Sequence, residues 1–229
     1  MATVDQADRY SRQQDLIPAD RLAPLTVTVI GVGAGGRQVA RMLACIGVPR
    51  LQLIDPDVVE PVNLCSQAYP EFDLGSPKVK ATAEECRRLN NGVVVTARRQ
   101  RFALNLDIGD VVFCCVDSIR DRTFIWNCVK DKVLFWADGR MSADVLRVLT
   151  AHDAASREHY SGTLFPPEQA FHGSCTSRST IYGADVAAGL MMAQFSKWLR
   201  GLPVEADVQL NLLTMELTVK ETSRDRNNC

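Results

Sequence analysis

The chain has 229 residues, 46% of them hydrophobic and 23% charged, which is the composition of an ordinary globular protein rather than of a disordered or fibrous one. Its 26 basic and 27 acidic side chains leave a formal net charge of −1, so there is no global positive field and nucleic acid is not expected as a partner. The N-terminus is polar and no apolar run approaches the ~20 residues of a membrane span, so we expect a cytoplasmic protein without membrane association. The cysteines lack C-x-x-C spacing, which predicts free thiols and no zinc site.

The first quarter of the chain predicts a β–α–β unit. Residues 1–24 are polar and are expected to form a short helix. Residues 25–30 are β-branched and uncharged, as in a buried parallel strand, and the glycine-rich segment 31–36 follows directly. Apolar residues at helical spacing predict a helix over 37–46, and residues 51–55 predict a second strand. This order of elements is typical of nucleotide-binding sheets.

The remaining elements continue the alternation of strands and helices. Helices are predicted at 79–89, 123–130 and 184–199, strands at 93–97, 111–116, 133–137 and 145–149, a last strand or hairpin at 208–219, and irregular chain at 151–180. The pattern predicts one doubly wound, Rossmann-like α/β sheet, mostly parallel with late antiparallel strands. We expect this single domain to span residues 1–220, followed by a polar tail at 221–229.

The glycine-rich segment has the G-x-G-x-x-G spacing, with Gly31, Gly33 and Gly36 between a strand and a helix. Glycines let the backbone turn sharply and approach a phosphate, while the following helix points its first amides at that anion. Asp55 ends the second strand, where a carboxylate accepts hydrogen bonds from ribose hydroxyls. Two alternatives remain open on this motif alone: a turn that only packs the helix on the sheet, and a site for NAD.

Further motifs separate these alternatives. They are Arg9-Tyr-Ser-Arg12-Gln13, the run from Asp55 through Asp57, Asn63 and Ser66 to Gln67, Gly75-Ser-Pro77-Lys78, Asp117 with Arg122 five residues on, and Cys175 ahead of the long apolar helix. In order and spacing they resemble the ubiquitin-activating-enzyme superfamily, and within it the short bacterial ThiF/MoeB-like adenylyltransferases. The resemblance runs from Arg9 to about Gly201, which is most of the chain.

The resemblance implies roles for individual residues. Lys78 is expected to hold the ATP triphosphate, the alternative being a solvated lysine at a helix start. Asp117 is expected to bind magnesium, a cation that often takes only one or two carboxylates in addition to phosphates. Asn63 and Gln67 are expected to contact the nucleotide, and Asp57 either contacts it or is structural.

The chain departs from the family pattern at Ser66, where the family has an arginine. A charged hydrogen bond to phosphate contributes ~1.5–3 kcal/mol, so its loss weakens catalysis unless another cation takes over. Arg120 and Arg122 are the alternatives for such a cation. The other interpretation is a degenerate member that binds nucleotide or partner without turnover.

The N-terminal motif implies a second subunit. The segment with Arg9 and Arg12 resembles the family segment that reaches into a neighbouring subunit's nucleotide site, and nothing in the segment itself gives these arginines a core to pack on. We therefore expect Arg12 to act in trans across a homodimer, unless both arginines are merely solvated. The apolar residues of helix 184–199 are candidates for part of the dimer core. They are Met191, Met192, Phe195 and Trp198.

The cysteines and histidines divide by context. Cys175 lies among polar residues with Arg178 nearby, which favours a thiol of lowered pKa and a nucleophile in thioester transfer, although buried packing cysteines are common. Cys114 and Cys115 fall within an apolar strand and are expected in the core. The three histidines all fall in the segment that is expected to be irregular, and they are interpreted as solvated loop residues. They are His152, His159 and His172.

The resemblance implies an ATP- and magnesium-dependent enzyme that adenylates the C-terminal glycine carboxylate of a ubiquitin-like or sulfur-carrier protein ending in Gly-Gly, with release of pyrophosphate. Two rival functions stay open. A dinucleotide-dependent oxidoreductase accounts for the glycines and Asp55 but not for Lys78 or Asp117. A scaffold that holds the ubiquitin-like protein without activating it accounts for Ser66.

Overall fold

A computed structural model describes residues 9–166, 168 and 180–220 of the chain. The described residues form an eight-stranded sheet with the spatial order β3-β2-β1-β4-β5-β6-β7-β8. Its strands are β1 (Thr26–Ile30), β2 (Arg50–Ile54), β3 (Val94–Arg98), β4 (Val111–Cys114), β5 (Phe135–Ser142), β6 (Val145–Ala151), β7 (Asp207–Asn211) and β8 (Glu216–Val219). The first five strands are parallel and the last three antiparallel. The predicted doubly wound sheet with late antiparallel strands is therefore confirmed.

Helices cover both faces of the parallel part of the sheet. They are α1 (Ala19–Leu22), α2 (Ala34–Ile46), α3 (Pro61–Gln67), α4 (Lys78–Leu89), α5 (Ile119–Val129), α6 (Ala154–Gly162) and α7 (Ile181–Leu199), with a 3₁₀ turn at Glu71–Asp73. One core joins α2, α4 and α7 to the sheet, and a second core joins α5 and α6 to the opposite face. Burial on both faces explains why the parallel strands lack an alternating polar pattern.

The winding reverses between β1 and β4. The chain proceeds from β1 to β2 to β3 on one side, then crosses to β4 on the other side of β1. In open α/β sheets ligands bind beyond the carboxyl ends of the strands at such a switch point. The glycine segment follows β1 and Asp117 follows β4, so the fold places both at this point.

The prediction of irregular chain at 151–180 is wrong for its first part, where α6 forms. Asp153 caps this helix because its carboxylate accepts the backbone N–H of Ser156 at 2.8 Å. Two histidines are consequently fixed rather than solvated. His152 Nδ1 lies 3.3 Å from the Ser156 hydroxyl, and His159 Nε2 lies 3.0 Å from the carboxylate of Asp207. His172 falls outside the described residues.

The expectation that the apolar residues of helix 184–199 form part of a dimer core is wrong for three of the four residues. Met191, Met192 and Phe195 are buried in the protein's own core, between α7 and the sheet. The Trp198 ring packs against the ring of Phe135 on β5, with centroids 5.3 Å apart. Within the described ranges, no helix is long and apolar enough to cross a membrane.

Candidate functional site

The glycine turn after β1 is built by two close approaches. Gly31 has a φ of +85°, and a Cβ at this position would lie 2.7 Å from the carbonyl oxygen of Cys115. A Cβ at Gly36 would overlap the carbonyl oxygen of Gly31. Packing therefore requires glycine at both positions. At Gly33, by contrast, the nearest atom to a Cβ would be 3.7 Å away, in the side chain of Gln67. Gly33 keeps one side of the turn open.

The open side of the turn carries unsatisfied backbone donors. Gly33 is the N-cap of α2, and no side chain caps this helix. The Gly33 N–H has no hydrogen-bond partner in the part of the chain that the structure describes. The first amides of a helix attract anions through their N–H groups and the helix dipole. The turn therefore has the chemistry of a phosphate site.

Asp55, at the end of β2, fixes the glycine turn through hydrogen bonds to backbone N–H groups. Its Oδ2 accepts the Val32 N–H at 2.8 Å, and its Oδ1 accepts the Asp57 N–H at 2.8 Å. Burial raises the pKa of Asp55, while these two amide bonds and the charge of Lys78 act in the opposite direction. In this structure Asp55 shapes the turn, and hydrogen bonds to a ribose remain a prediction.

Lys78 begins α4 directly after Pro77. Its backbone N–H donates to the Asp57 carbonyl at 3.0 Å, and its Nζ lies 3.3 Å from the Asp57 Oδ2. The Lys78 side chain is 8% exposed, whereas that of Asp57 is 61% exposed. The alternative of a solvated lysine is therefore wrong. Lys78 is a buried cation beside Asp55, and it is balanced by a carboxylate that points into solvent.

Asn63 and Gln67 lie one turn apart on α3. Asn63 Oδ1 accepts the Glu60 N–H at 2.9 Å, which closes a capping box at the start of this helix. The Gln67 Oε1 is buried beside Gly33 and has no hydrogen-bond partner among the described residues. A buried acceptor without a partner costs free energy. Hydroxyl donors of a bound nucleotide are the kind of group that would satisfy it.

Ser66, which stands where the family has an arginine, is satisfied within its own helix. Its hydroxyl donates to the Val62 carbonyl at 2.9 Å. This bond uses the only hydrogen-bond donor of the Ser66 side chain. Ser66 therefore offers no substitute for a phosphate-binding guanidinium.

Asp117 lies three residues beyond the end of β4 and is exposed. The next residue, Ser118, caps α5 by accepting the Asp121 N–H at 3.0 Å. Because β4 is the direct neighbour of β1, Asp117 emerges at the same edge of the sheet as the glycine turn. An exposed carboxylate there fits a magnesium ion shared with phosphates, and the magnesium role itself stays a prediction.

Arg122 does not serve as the replacement cation. Its Nε donates to Asp138 Oδ1 at 2.7 Å and its Nη2 to the Gly139 carbonyl at 3.0 Å. Burial raises the pKa of Asp138, but Arg122 and Arg140 more than offset this effect and hold it below its usual range. Arg122 thus neutralises a fully buried carboxylate inside the subunit. Arg120, which is exposed, remains the alternative.

The N-terminal motif packs at the end of α2 that lies opposite the glycine turn. Arg9 donates to the Leu89 carbonyl, and Gln13 Nε2 donates to the Ile46 carbonyl at 3.1 Å. Both acceptors lie at the C-terminal ends of helices, and α2 alone is roughly 20 Å long at 1.5 Å per residue. The expectation that Arg9 has nothing to pack on is wrong. Arg12 is exposed and lies far from its own glycine turn.

The cysteines of β4 belong to the core as predicted. Cys114 is fully buried, and burial raises the pKa of the partly buried Cys115 to about 12. Neither thiol is reactive in this setting. Cys175 and Arg178 fall outside the described residues, so the nucleophile role of Cys175 stays a prediction.

Sequence reasoning missed several residues that shape the site. Asp138 lies within β5, directly after the apolar residues 135–137, and a carboxylate in that setting indicates a buried ion pair. Tyr69 and Arg37 give no such signal. Tyr69 stands in a polar connection, and Arg37 looks like a surface residue of α2, although it is only 1% exposed.

Comparison with known proteins identifies relatives of this chain. The sequence profile of the ThiF family matches residues 10–229. The Mus musculus protein "Adenylyltransferase and sulfurtransferase MOCS3" is 39% identical over 133 residues, which cover 53% of this chain and 29% of the mouse protein. The "SAMP-activating enzyme E1" of Haloferax volcanii is 38% identical over 96 residues, 39% of this chain and 36% of that protein.

A solved structure shares the fold at low sequence identity. The crystal structure of E. coli MccB with ATP superposes with a TM-score of 0.74 at 18% identity, covering 94% of this chain and 72% of MccB. The chain thus spans under two fifths of the length of the two relatives identified by sequence and most of the length of this structural neighbour.

Proposed function

The chain belongs to the ThiF family, and on that basis we propose that it adenylates the C-terminal carboxylate of a small protein. The carboxylate oxygen attacks the α-phosphorus of ATP, the bond to the β-phosphate oxygen breaks, and pyrophosphate leaves. The product is an acyl-adenylate. The reaction needs two anions to be brought together, so positioning and charge neutralisation are the main tasks of the protein.

The observation that carries this proposal is the buried Lys78 beside an open glycine turn. The uncapped start of α2 supplies amide donors for phosphate, and Lys78 supplies the positive charge within the same edge of the sheet. A compact cation of this kind is suited to a triphosphate. A dinucleotide oxidoreductase requires the turn and Asp55, but it has no use for a buried lysine at this position.

Magnesium is proposed to be held by Asp117 together with the phosphates of ATP. When bound, it would neutralise phosphate charge and favour the departure of pyrophosphate. Asp117 contributes a carboxylate oxygen, the hard ligand that magnesium prefers. Asn63 and Gln67 would orient the nucleotide from α3, and Gln67 brings the unpaired buried acceptor described above.

The proposed partner is a ubiquitin-like or sulfur-carrier protein that ends in Gly-Gly. The support comes from the names of the two relatives, one an adenylyltransferase and sulfurtransferase and the other a SAMP-activating enzyme. Two glycines without side chains would let the partner's terminus thread toward the α-phosphate. A homodimer, a single domain over residues 1–220 and a cytoplasmic location complete the proposal.

A second step at Cys175 is proposed after adenylation. The thiolate attacks the carbonyl carbon of the acyl-adenylate, AMP leaves with the electron pair of the broken C–O bond, and a thioester forms. A Cys175→Ser variant should retain pyrophosphate exchange but lose the partner adduct on a non-reducing gel. An adduct that persists in this variant would rule out Cys175 as the nucleophile.

The rival function is a scaffold that binds the same partner without activating it. The observation in its favour is Ser66, whose hydroxyl is satisfied within α3. ATP–pyrophosphate exchange separates the two functions, because only the enzyme exchanges labelled pyrophosphate into ATP. The assay would use MgATP and a ubiquitin-like protein with a free Gly-Gly terminus that is encoded beside this gene, with a variant truncated by two residues as the control.

Thermal shift tests the nucleotide class independently. Ligand that binds the folded state raises the melting temperature in proportion to the logarithm of its concentration over Kd. We expect MgATP to raise the melting temperature and NAD to leave it unchanged. A shift with NAD alone would overturn the proposal in favour of the oxidoreductase.

A further inference from the structure

A buried tyrosine contacts the glycine turn from the connection between α3 and α4. Tyr69 is 2% exposed, and its hydroxyl donates to the Val32 carbonyl at 2.7 Å. The same oxygen lies 3.0 Å from the Thr82 hydroxyl and 3.5 Å from the Lys78 carbonyl, both on α4. Tyr69 therefore joins the turn to the helix that carries Lys78.

This bond determines the orientation of one peptide group. The Val32 carbonyl belongs to the Val32–Gly33 peptide, and in a trans peptide the C=O and N–H point in opposite directions. Because Tyr69 holds the carbonyl on its own side, the Gly33 N–H must point away from Tyr69. Asp55 holds the preceding peptide through the Val32 N–H at 2.8 Å. Both peptides of Val32 are consequently fixed by buried side chains.

The tyrosine ring is itself held in place by a buried cation. The guanidinium carbon of Arg37 lies 4.1 Å from the centre of the Tyr69 ring, and Arg37 is 1% exposed. Arg37 also donates to Glu85 at 3.0 Å and to Thr82 at 3.4 Å, which connects α2 with α4. A cation over an aromatic face is attracted more strongly when both are removed from water. Burial raises the pKa of Tyr69 to about 12, so the hydroxyl keeps its proton and remains a donor.

We propose that Tyr69 is a positioning residue that aims the Gly33 N–H at a phosphate of ATP and holds Lys78 in register with the turn. Tyr69 does not touch the nucleotide. It acts through the peptide it orients, so its effect should depend on the phosphates of the ligand. This inference rests on the proposed function, because it assumes that the turn binds ATP.

The test compares two ligands in a Tyr69→Phe variant, which removes only the hydroxyl. Calorimetry would measure the Kd of MgATP and of adenosine. We expect ATP to bind about three- to tenfold more weakly, the value of one hydrogen bond, and adenosine to bind as in the wild type. A merely structural role would weaken both ligands to the same extent or neither, and either result would overturn the proposal.

The matched control is Tyr160→Phe. Tyr160 is also buried and its hydroxyl donates to Asp138 at 3.0 Å, but it packs on the opposite face of the sheet. This variant should lose a similar amount of stability while it keeps the wild-type ratio of ATP to adenosine affinity. A ratio that changes equally in both variants would show a general loss of packing instead.

A second measurement needs no nucleotide. Hydrogen exchange of the Val32 amide in the ligand-free protein should accelerate at least about threefold in Tyr69→Phe, because the turn loses one of its two anchors. Unchanged exchange would overturn the anchoring by Tyr69. If the wild type bound no ATP, the proposed function would fail, whereas the exchange rate would still decide whether Tyr69 fixes the turn.

Discussion

Lys78 and Asp57 form an ion pair in which the cation is buried and the carboxylate is exposed, with Nζ 3.3 Å from Oδ2. The pair is held in register because the Lys78 N–H also donates to the Asp57 carbonyl at 3.0 Å. A solvent-exposed carboxylate is screened and contributes little to an ion pair. The buried ammonium is therefore available to an incoming anion.

Replacing Lys78 by methionine should reduce pyrophosphate exchange by roughly 10- to 150-fold, the range of one charge-assisted hydrogen bond. Lys80→Met is the matched control, because Lys80 lies on the same helix, is 67% exposed and pairs only weakly with Glu84. We expect this control and Asp57→Asn to change the rate by less than about threefold. If the Lys78 and Lys80 variants lost the same amount of pyrophosphate exchange, the burial of Lys78 would not contribute to the reaction.

The two kinds of glycine in the turn should respond differently to alanine. Gly36→Ala forces a methyl group into the Gly31 carbonyl and should destabilise the fold by about 3 kcal/mol or more. Gly33→Ala has 3.7 Å of clearance, so it should shift the melting temperature only slightly. ATP affinity should nevertheless fall about tenfold in Gly33→Ala, because the methyl group narrows the approach of a phosphate. Calorimetry and thermal melting of both variants check this pair of outcomes, and a Gly33→Ala variant that binds ATP normally would contradict it.

Asp117→Asn should remove most of the magnesium dependence of ATP binding. The amide keeps an oxygen but loses the charge that attracts the cation, so we expect the Kd of MgATP to rise about tenfold while magnesium-free binding changes little. The measurement is calorimetry with and without magnesium. Asp121→Asn, four residues further along in the first turn of α5, is the control. An unchanged magnesium dependence in Asp117→Asn would count against the assignment.

Arg12 should act on the nucleotide site of a second subunit. The segment around it is tied to the C-terminal end of α2, so its own glycine turn lies roughly 20 Å away. Arg12→Ala and Asp117→Asn should each be inactive alone. Mixed under conditions where subunits exchange, they should recover up to about a quarter of wild-type activity, because random pairing yields dimers with one intact site. No recovery despite proven exchange would place Arg12 in its own subunit or in no site.

The carboxylate of Asp207 should make the protein sensitive to acid. Burial raises its pKa, but hydrogen bonds from Arg147 at 2.8 and 2.7 Å more than offset this and lower it below 3.8. A lowered pKa in the folded state contributes stability that is present above the unfolded value and is lost as pH falls through the folded value. The melting temperature should therefore drop steeply below about pH 4. In Asp207→Asn the melting temperature should be lower at neutral pH and should fall less steeply below pH 4. The melting temperature of Asp185→Asn, a change at an exposed residue, should match that of the wild type at each pH. Parallel curves for the wild type and Asp207→Asn would disprove the linkage.

Local sequence was sufficient for the β–α–β unit and for the edge at which the site lies. The glycines and Asp55 directly follow apolar strands, and Asp117 comes three residues after β4. Parallel strands bring their carboxyl ends to one edge whatever the rest of the chain does. Lys78 was recognised because the motif Gly75-Ser-Pro77-Lys78 resembles that of the family. The short helices α3 and α6 were missed because capping by Glu60 and Asp153 determines them more than apolar periodicity does.

Only the tertiary structure decided which polar groups are free for a ligand. Arg122 looked like a phosphate cation until its pairing with Asp138, sixteen residues away, showed it to be occupied. Arg9 and Leu89 lie eighty residues apart, and their contact is what carries Arg12 away from its own site. Gln67 and Tyr69 acquire their positions by packing against the glycine turn. Such pairings depend on which surfaces meet after the sheet has formed, and no local pattern of residues records them.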